Sequence, residues 1–291
     1  MAHAQGDYYI PNGTNWPILG SIGLTLILSG FAVLLNEIAA GKWMMILGAL
    51  VFIYMLFGWF GTVIHESQAG TYNSQVDFSF RLGMGWFIFS EVMFFAVFFG
   101  VLFYARVLSV PWLAGEGDGV MTHAVLWSNF IGEWPLLNNP DPEMFKSPEG
   151  IIPAWGIPAI NTVILLSSGV TVTLAHWALK EQKRSALQLW LLATVILGFL
   201  FVYLQAIEYI HAYKELNLTL GSGIYGSTFF MLTGFHGLHV TLGATMLVVI
   251  LIRVFKGHFT PDNHFAFEAV AWYWHFVDVV WLGLFIFVYW I

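Results

Sequence analysis

The chain has 291 residues, of which 58% are hydrophobic and only 9% carry a charge. Soluble domains are charged at about a quarter of their residues, so this chain has too few charges to cover a water-facing surface, and the balance fits an outer surface that meets lipid. A formal net charge of -7, from 17 acids against 10 bases, argues against nucleic acid as a partner, because phosphates need basic contacts. The absence of cysteine removes c-type haem attachment, Cys-held iron–sulfur clusters, thiolate copper sites and disulfides from this chain.

The opening segment, MAHAQGDYYIPNGTNWP, lacks a basic stretch followed by an apolar core and a small-residue cleavage site. The sequence therefore predicts direct insertion of the first helix, without a signal peptide. A spanning helix needs roughly 20 mostly apolar residues, and seven stretches meet that requirement. The predicted fold is an all-α membrane protein, a single domain over 1–291, with helices near 18–38, 43–64, 82–108, 155–179, 187–212, 225–254 and 266–291. The first two are charge-free in their apolar cores, Ile18 to Leu35 and Trp43 to Ile64. The apolar core of the third, Leu82 to Ala105, holds one charge, Glu91. A water-exposed loop is expected over 109–150, rich in Pro and Gly, with six acids (Glu116, Asp118, Glu133, Asp141, Glu143, Glu149) against one base, Lys146. It reads as a solvated acidic segment or as a docking surface. The fourth stretch has Pro153 and Pro158 near its start, and the fifth holds Glu208. The sixth is charge-free as far as Ile252 and preceded by a turn, Asn217 to Gly223. The seventh holds Glu268 and Asp278 and reaches Tyr289-Trp290, aromatic residues suited to a membrane interface.

Loop bases set orientation. The side shared by the N-terminus carries Arg81, Lys180, Lys183, Arg184, Arg253 and Lys256, and the other side carries Lys42, Arg106, Lys146 and Lys214. Six against four places the N-terminus in the cytoplasm and the acidic loop and C-terminus outside.

Ionisable groups at membrane depth are costly, about 2.5 to 3.5 kcal/mol for a central Asp, so they usually face the bundle interior and are paired or neutral. Glu91 sits in an apolar, aromatic run, Phe87 to Phe95, with no base on its own helix nearer than Arg81. It reads either as a proton-linked, carbodiimide-reactive acid or as a neutral acid hydrogen-bonded to another helix. Gln205, Glu208 and Tyr209 share a face of the fifth helix. His236 and His239 lie one turn apart on the sixth, among glycines that permit close helix approach. Glu268, His275 and Asp278 follow one stripe of the seventh. These residues are expected to form an interhelical polar network. No metal site is assigned. His236 and His239 supply two ligands, with His275 or Glu208 as a possible third, but di-metal bundles draw Glu and His from several helices. No second Glu-x-x-His, no His-His pair and no His-x-x-His-His box is present.

Several blocks resemble a known family. They are Arg81-Leu82-Gly83-Met84 with Phe89 to Phe95; Asn161-Thr162, Ser168-Gly169-Val170 and Ala175-His176; Leu204 to Tyr209; Tyr225 to Phe230 and Thr233 to Val240; and His264-Phe265, Phe267-Glu268 and Trp272 to Trp281. From about residue 15 onward the chain resembles subunit III of cytochrome c oxidase. The resemblance implies a subunit of an aa3-type haem-copper oxidase that passes electrons from cytochrome c to oxygen and pumps protons. It implies that haem a, haem a3, CuA and CuB sit in subunits I and II, with no cofactor in this chain. It further implies packing against subunit I, with helices 1–2 separated from helices 3–7 by a V-shaped cleft filled with structural phospholipids. The chain would then sustain proton uptake, and Glu91 matches the family's carbodiimide-reactive intramembrane acid.

Lipid contacts would fall at Trp59, Glu66, Arg81, Arg253 and His264. A basic group near the interface pairs with a headgroup phosphate while cleft walls bury acyl chains. The chain departs from the family where Gly58-Trp59-Phe60-Gly61-Thr62 replaces two tryptophans followed by Arg-Asp. Two His pairs are reduced to His176-Trp177 and Asn263-His264. The long loop at 109–150 points to a bacterial plasma membrane. An equivalent quinol oxidase subunit is the nearest alternative, but such subunits usually lack the first two helices. A proton-coupled transporter using Glu91, Glu208, Glu268 and Asp278 would show inverted repeats with broken helices, and none is visible.

Overall fold

The computed structural model describes residues 13–291, so most of the opening segment on which direct insertion is predicted lies outside the described residues. Every regular element among the described residues is helical, and seven helices are long and apolar enough to cross a membrane. They are α1 (Trp16–Leu35), α2 (Ala40–Gln68), α3 (Ser74–Leu113), α4 (Ile157–Lys180), α5 (Arg184–Glu215), α6 (Ile224–Phe255) and α7 (Phe265–Trp290). The last turns of α3, near Tyr104–Ser109, and of α7, Phe285–Trp290, widen to π-helical winding. The chain divides into two compact units, one ending at Phe80 and one spanning Arg81–Ile291.

The first unit is built on the α1–α2 hairpin. Its turn uses Glu37 at φ 61°, and Asn36 donates its side-chain amide to the Ala32 carbonyl at 2.9 Å. Neither helix has a polar face to direct packing, so shape decides it. Gly23 faces Gly48, and Gly30 faces Gly41. A Cβ on Gly30 would stand 2.8 Å from the Met45 nitrogen, and one on Gly48 2.8 Å from the Gly23 carbonyl oxygen. Only glycine lets these backbones meet. Trp16 closes the open end by donating its indole N–H to Thr62 Oγ1 at 3.2 Å.

In the second unit α4 packs on α5, α5 on α6, and α7 against both α6 and α4. Trp274 and Trp281 are the largest fully buried side chains. Each indole N–H finds an oxygen on α4: Ser168 Oγ at 2.8 Å and Thr162 Oγ1 at 2.9 Å. Such pairing is what a buried tryptophan needs. Gly198 and Gly243 make room for the Trp274 ring, where a Cβ would meet it at 2.8 and 2.9 Å. By contrast, α3 joins this bundle through aromatic side chains, Phe94 on Phe235 and Phe95 on Phe276, with centroids 5.0 and 6.0 Å apart.

Residues 109–150 are not wholly irregular. Val110–Leu113 continues α3, and Val120–Leu126 forms a short helix. The segment is fastened to the turn before α6. Asn139 donates to the Phe145 and Ser222 carbonyls at 3.0 and 3.1 Å, and Asn217 donates to the Ser147 carbonyl at 3.0 Å.

Candidate functional site

The intramembrane polar residues fall into separate clusters rather than one network. At mid-membrane, Glu91 on α3 meets His239 on α6, with Oε2 2.9 Å from Nε2. His239 Nδ1 lies 2.6 Å from the Phe235 carbonyl oxygen one turn back. Phe95 and Tyr273 flank the imidazole, with centroids 5.0 and 6.3 Å away. The pair is therefore enclosed by aromatic carbon on two sides, while the Glu91 side chain keeps 22% of its surface exposed.

His236 does not join it. Its Nε2 lies 3.2 Å from the Val277 carbonyl oxygen, and its ring packs 5.1 Å from Trp281. The two histidines share a face of α6 yet serve different neighbours, so they do not form a ligand pair. His275 lies 3.4 Å from Asp278 Oδ2 through Nδ1 and 3.2 Å from Thr173 Oγ1 through Nε2, which ties α7 to α4. Nearer the other end of α7, Glu208 Oε1 accepts from Gln205 at 3.2 Å and from the Tyr289 hydroxyl at 2.6 Å. Tyr209 turns to Thr233 on α6 instead, at 2.7 Å.

A further cluster lies where α4 ends and α7 begins. Glu268 pairs with Arg81 Nη1 through Oε2. Its Oε1 lies 3.4 Å from His176 Nε2 and 3.2 Å from His264 Nε2. His176 stacks on Phe267, with centroids 5.6 Å apart. The participation of His176 and Arg81 is invisible to helical spacing, because they stand on other helices. No local signal in the sequence marks them as partners of Glu268.

The remaining residues expected at lipid contacts are placed individually. Trp59 is exposed and stacks on Phe60, and Glu66 accepts from the Tyr72 hydroxyl at 2.7 Å. Arg81 keeps about a third of its side chain, 34%, exposed beside its Glu268 partner. Arg253 is buried, its guanidinium 4.4 Å from the Phe259 ring centroid, and His264 is turned inward.

Comparison with known proteins assigns the chain as a whole to a family. The sequence pattern of the family described as "Cytochrome c oxidase subunit III" matches residues 6–139 and 120–291, so every cluster above lies inside it. Proteins described as cytochrome c oxidase subunit 3 from Mus musculus, Carassius auratus and Tetraodon nigroviridis are 41%, 39% and 38% identical to this chain. Each alignment covers 100% of this chain and 99% of the relative. With seven helices of spanning length, this is a multi-pass membrane protein that assembles with other oxidase subunits. The match runs along its full length, and the chain belongs to the cytochrome c oxidase subunit III family.

Proposed function

We propose that the chain is the non-redox subunit of a terminal oxidase of aerobic respiration. It supports electron transfer from cytochrome c to oxygen, coupled to proton pumping, by stabilising subunit I, sustaining proton uptake and holding phospholipid. The observation that carries this reading is the full-length match to cytochrome c oxidase subunit III relatives. Haem a, haem a3, CuA and CuB would reside in subunits I and II, and this chain would contain no catalytic centre. The presence of two further spanning helices, α1 and α2, favours this over a quinol oxidase subunit. The excess of loop bases on one side, six against four, supports a cytoplasmic N-terminus and an external C-terminus. The long acidic segment at 109–150 supports a bacterial plasma membrane.

Within this reading Glu91 is the carbodiimide-reactive acid, held by His239 at 2.9 Å. In the first unit Trp59 and Glu66, and in the second Arg81, are the groups best placed to meet lipid, because each retains exposed surface. Arg253 and His264 would act on lipid through the ends of the helices they brace. The test is co-purification through a tag on this chain. The isolated chain should be colourless, and haem should appear only with larger partners. Haem bound to the chain alone, or recovery without haem-bearing partners, would overturn the reading.

A further inference from the structure

Three donor atoms that the sequence sets far apart converge in the second unit. His264 precedes α7, Glu268 stands one turn further on, and His176 stands one turn before the end of α4. Their ligand atoms all lie within 4.8 Å of one another. His264 Nδ1 sits 3.2 Å from the Thr260 carbonyl oxygen. Nδ1 therefore carries a proton and donates it, and in the neutral ring Nε2 keeps its lone pair. That lone pair faces Glu268 Oε1 at 3.2 Å, and His176 Nε2 faces the same oxygen at 3.4 Å. Both Nε2 atoms are buried and neither makes a hydrogen bond among the described residues. The His264 side chain is only 8% exposed. Two imidazole nitrogens and a carboxylate oxygen this close need a cation among them, a proton on a ring nitrogen or a metal ion.

Geometry selects the kind of cation. Zinc binds imidazole nitrogen at about 2.0–2.1 Å and carboxylate oxygen at about 2.0–2.2 Å, so tetrahedral ligands stand about 3.3–3.5 Å apart. The two nitrogen–oxygen separations, 3.4 and 3.2 Å, fall at that edge length. The outer contacts are of the kind that orient metal ligands. The Thr260 carbonyl fixes His264, and Arg81 holds the second oxygen of Glu268. Calcium and magnesium prefer six or more oxygens, which this set cannot offer. We propose that His176, His264 and Glu268 form a binding site for a divalent transition-metal ion of the zinc type, with a fourth position left to water, which fastens the end of α4 to the start of α7. The Arg81 guanidinium opposes a second cation nearby, so the ion binds reversibly.

The membrane assembly purified through a tag on this chain, whatever partners it brings, is stripped with chelator, equilibrated with Zn2+ and washed. Zinc per chain is then counted by mass spectrometry in the native protein, in His176→Gln and in His264→Gln. Each variant should retain one zinc fewer than the native protein, with Mg2+ giving no such difference. Crystals of the native assembly soaked in Zn2+ should show an anomalous peak at the zinc edge within about 2.2 Å of all three donor atoms. Equal zinc counts in native and assembled variant protein, or no anomalous peak among the three side chains, would overturn the site. If neither variant assembles, the crystal decides alone.

Discussion

Glu91 and His239 meet between α3 and α6, Oε2 2.9 Å from Nε2. His239 Nδ1 donates to the Phe235 carbonyl at 2.6 Å, so Nε2 either accepts from a carboxylic acid or, protonated, donates to a carboxylate. Both arrangements are neutral as a pair, which reduces the cost of placing them in the membrane. Replacing Glu91 with Gln preserves a donor to Nε2 at nearly the same position. The Glu91→Gln complex should assemble normally and start turnover within about twofold of the native rate. His239→Leu leaves the acid without its partner, at a cost of about 1–3 kcal/mol. It should lower the thermal midpoint of the complex or the recovery of this chain with it. A Glu91→Gln complex that fails to assemble would show that a charged carboxylate is required. Much of this site was legible in the sequence, because a single acid in an aromatic run stands out. Its partner was not, because spacing relates residues on one helix and His239 sits on another. Glu268 repeats the lesson: its place on α7 is plain from the sequence, whereas Arg81 and His176 reach it only through tertiary packing.

At the scale of elements, hydropathy marks what lies in hydrocarbon and is silent on the rest. Hydropathy starts the third helix at 82, yet α3 begins at Ser74 and continues to Leu113. A helix does not stop at the edge of the apolar layer. Packing faces were hidden for a different reason. When lipid and neighbouring helices are equally apolar, the sequence carries little contrast between them. In the α1–α2 hairpin the contrast lies in size alone. Gly30→Leu would drive a side chain into the α2 backbone, where a Cβ already meets the Met45 nitrogen at 2.8 Å. The hairpin must separate, with a loss of at least the 1–3 kcal/mol that overpacking usually costs. Gly61→Ala is the internal control, because nothing lies within 4 Å of a Cβ there. Limited proteolysis of membranes should cleave the turn at 36–39 faster in Gly30→Leu and at the native rate in Gly61→Ala. Equal cleavage in all three proteins would show that close backbone contact does not hold these helices.

On the whole molecule, the exposed surface has two chemistries. Large apolar side chains cover most of the spanning helices, where lipid or other subunits meet them. The loop over 109–150 instead presents acids. Glu116, Asp118, Glu133, Glu143 and Glu149 are exposed, and the only base is Lys146. Anchoring through Asn139 and Asn217, and the 2.7 Å bond from the Glu149 N–H to the Leu216 carbonyl, fixes these charges on the bundle. Fixed like charges create a field, and a field steers an oppositely charged partner during approach without adding contacts once it is bound. A basic cytochrome c arriving on this side would gain in association rate. Glu116→Lys with Asp118→Lys should therefore raise the KM for cytochrome c about two- to fivefold at low ionic strength. The turnover number at saturating cytochrome c should stay unchanged, because the redox path would lie in other subunits. The difference should fade towards 0.15 M salt, where the screening length falls to about 8 Å. Measured as KM against ionic strength, the variant should give a shallower slope than the native complex. Superimposable slopes would mean that the acids are solvated but do not guide cytochrome c.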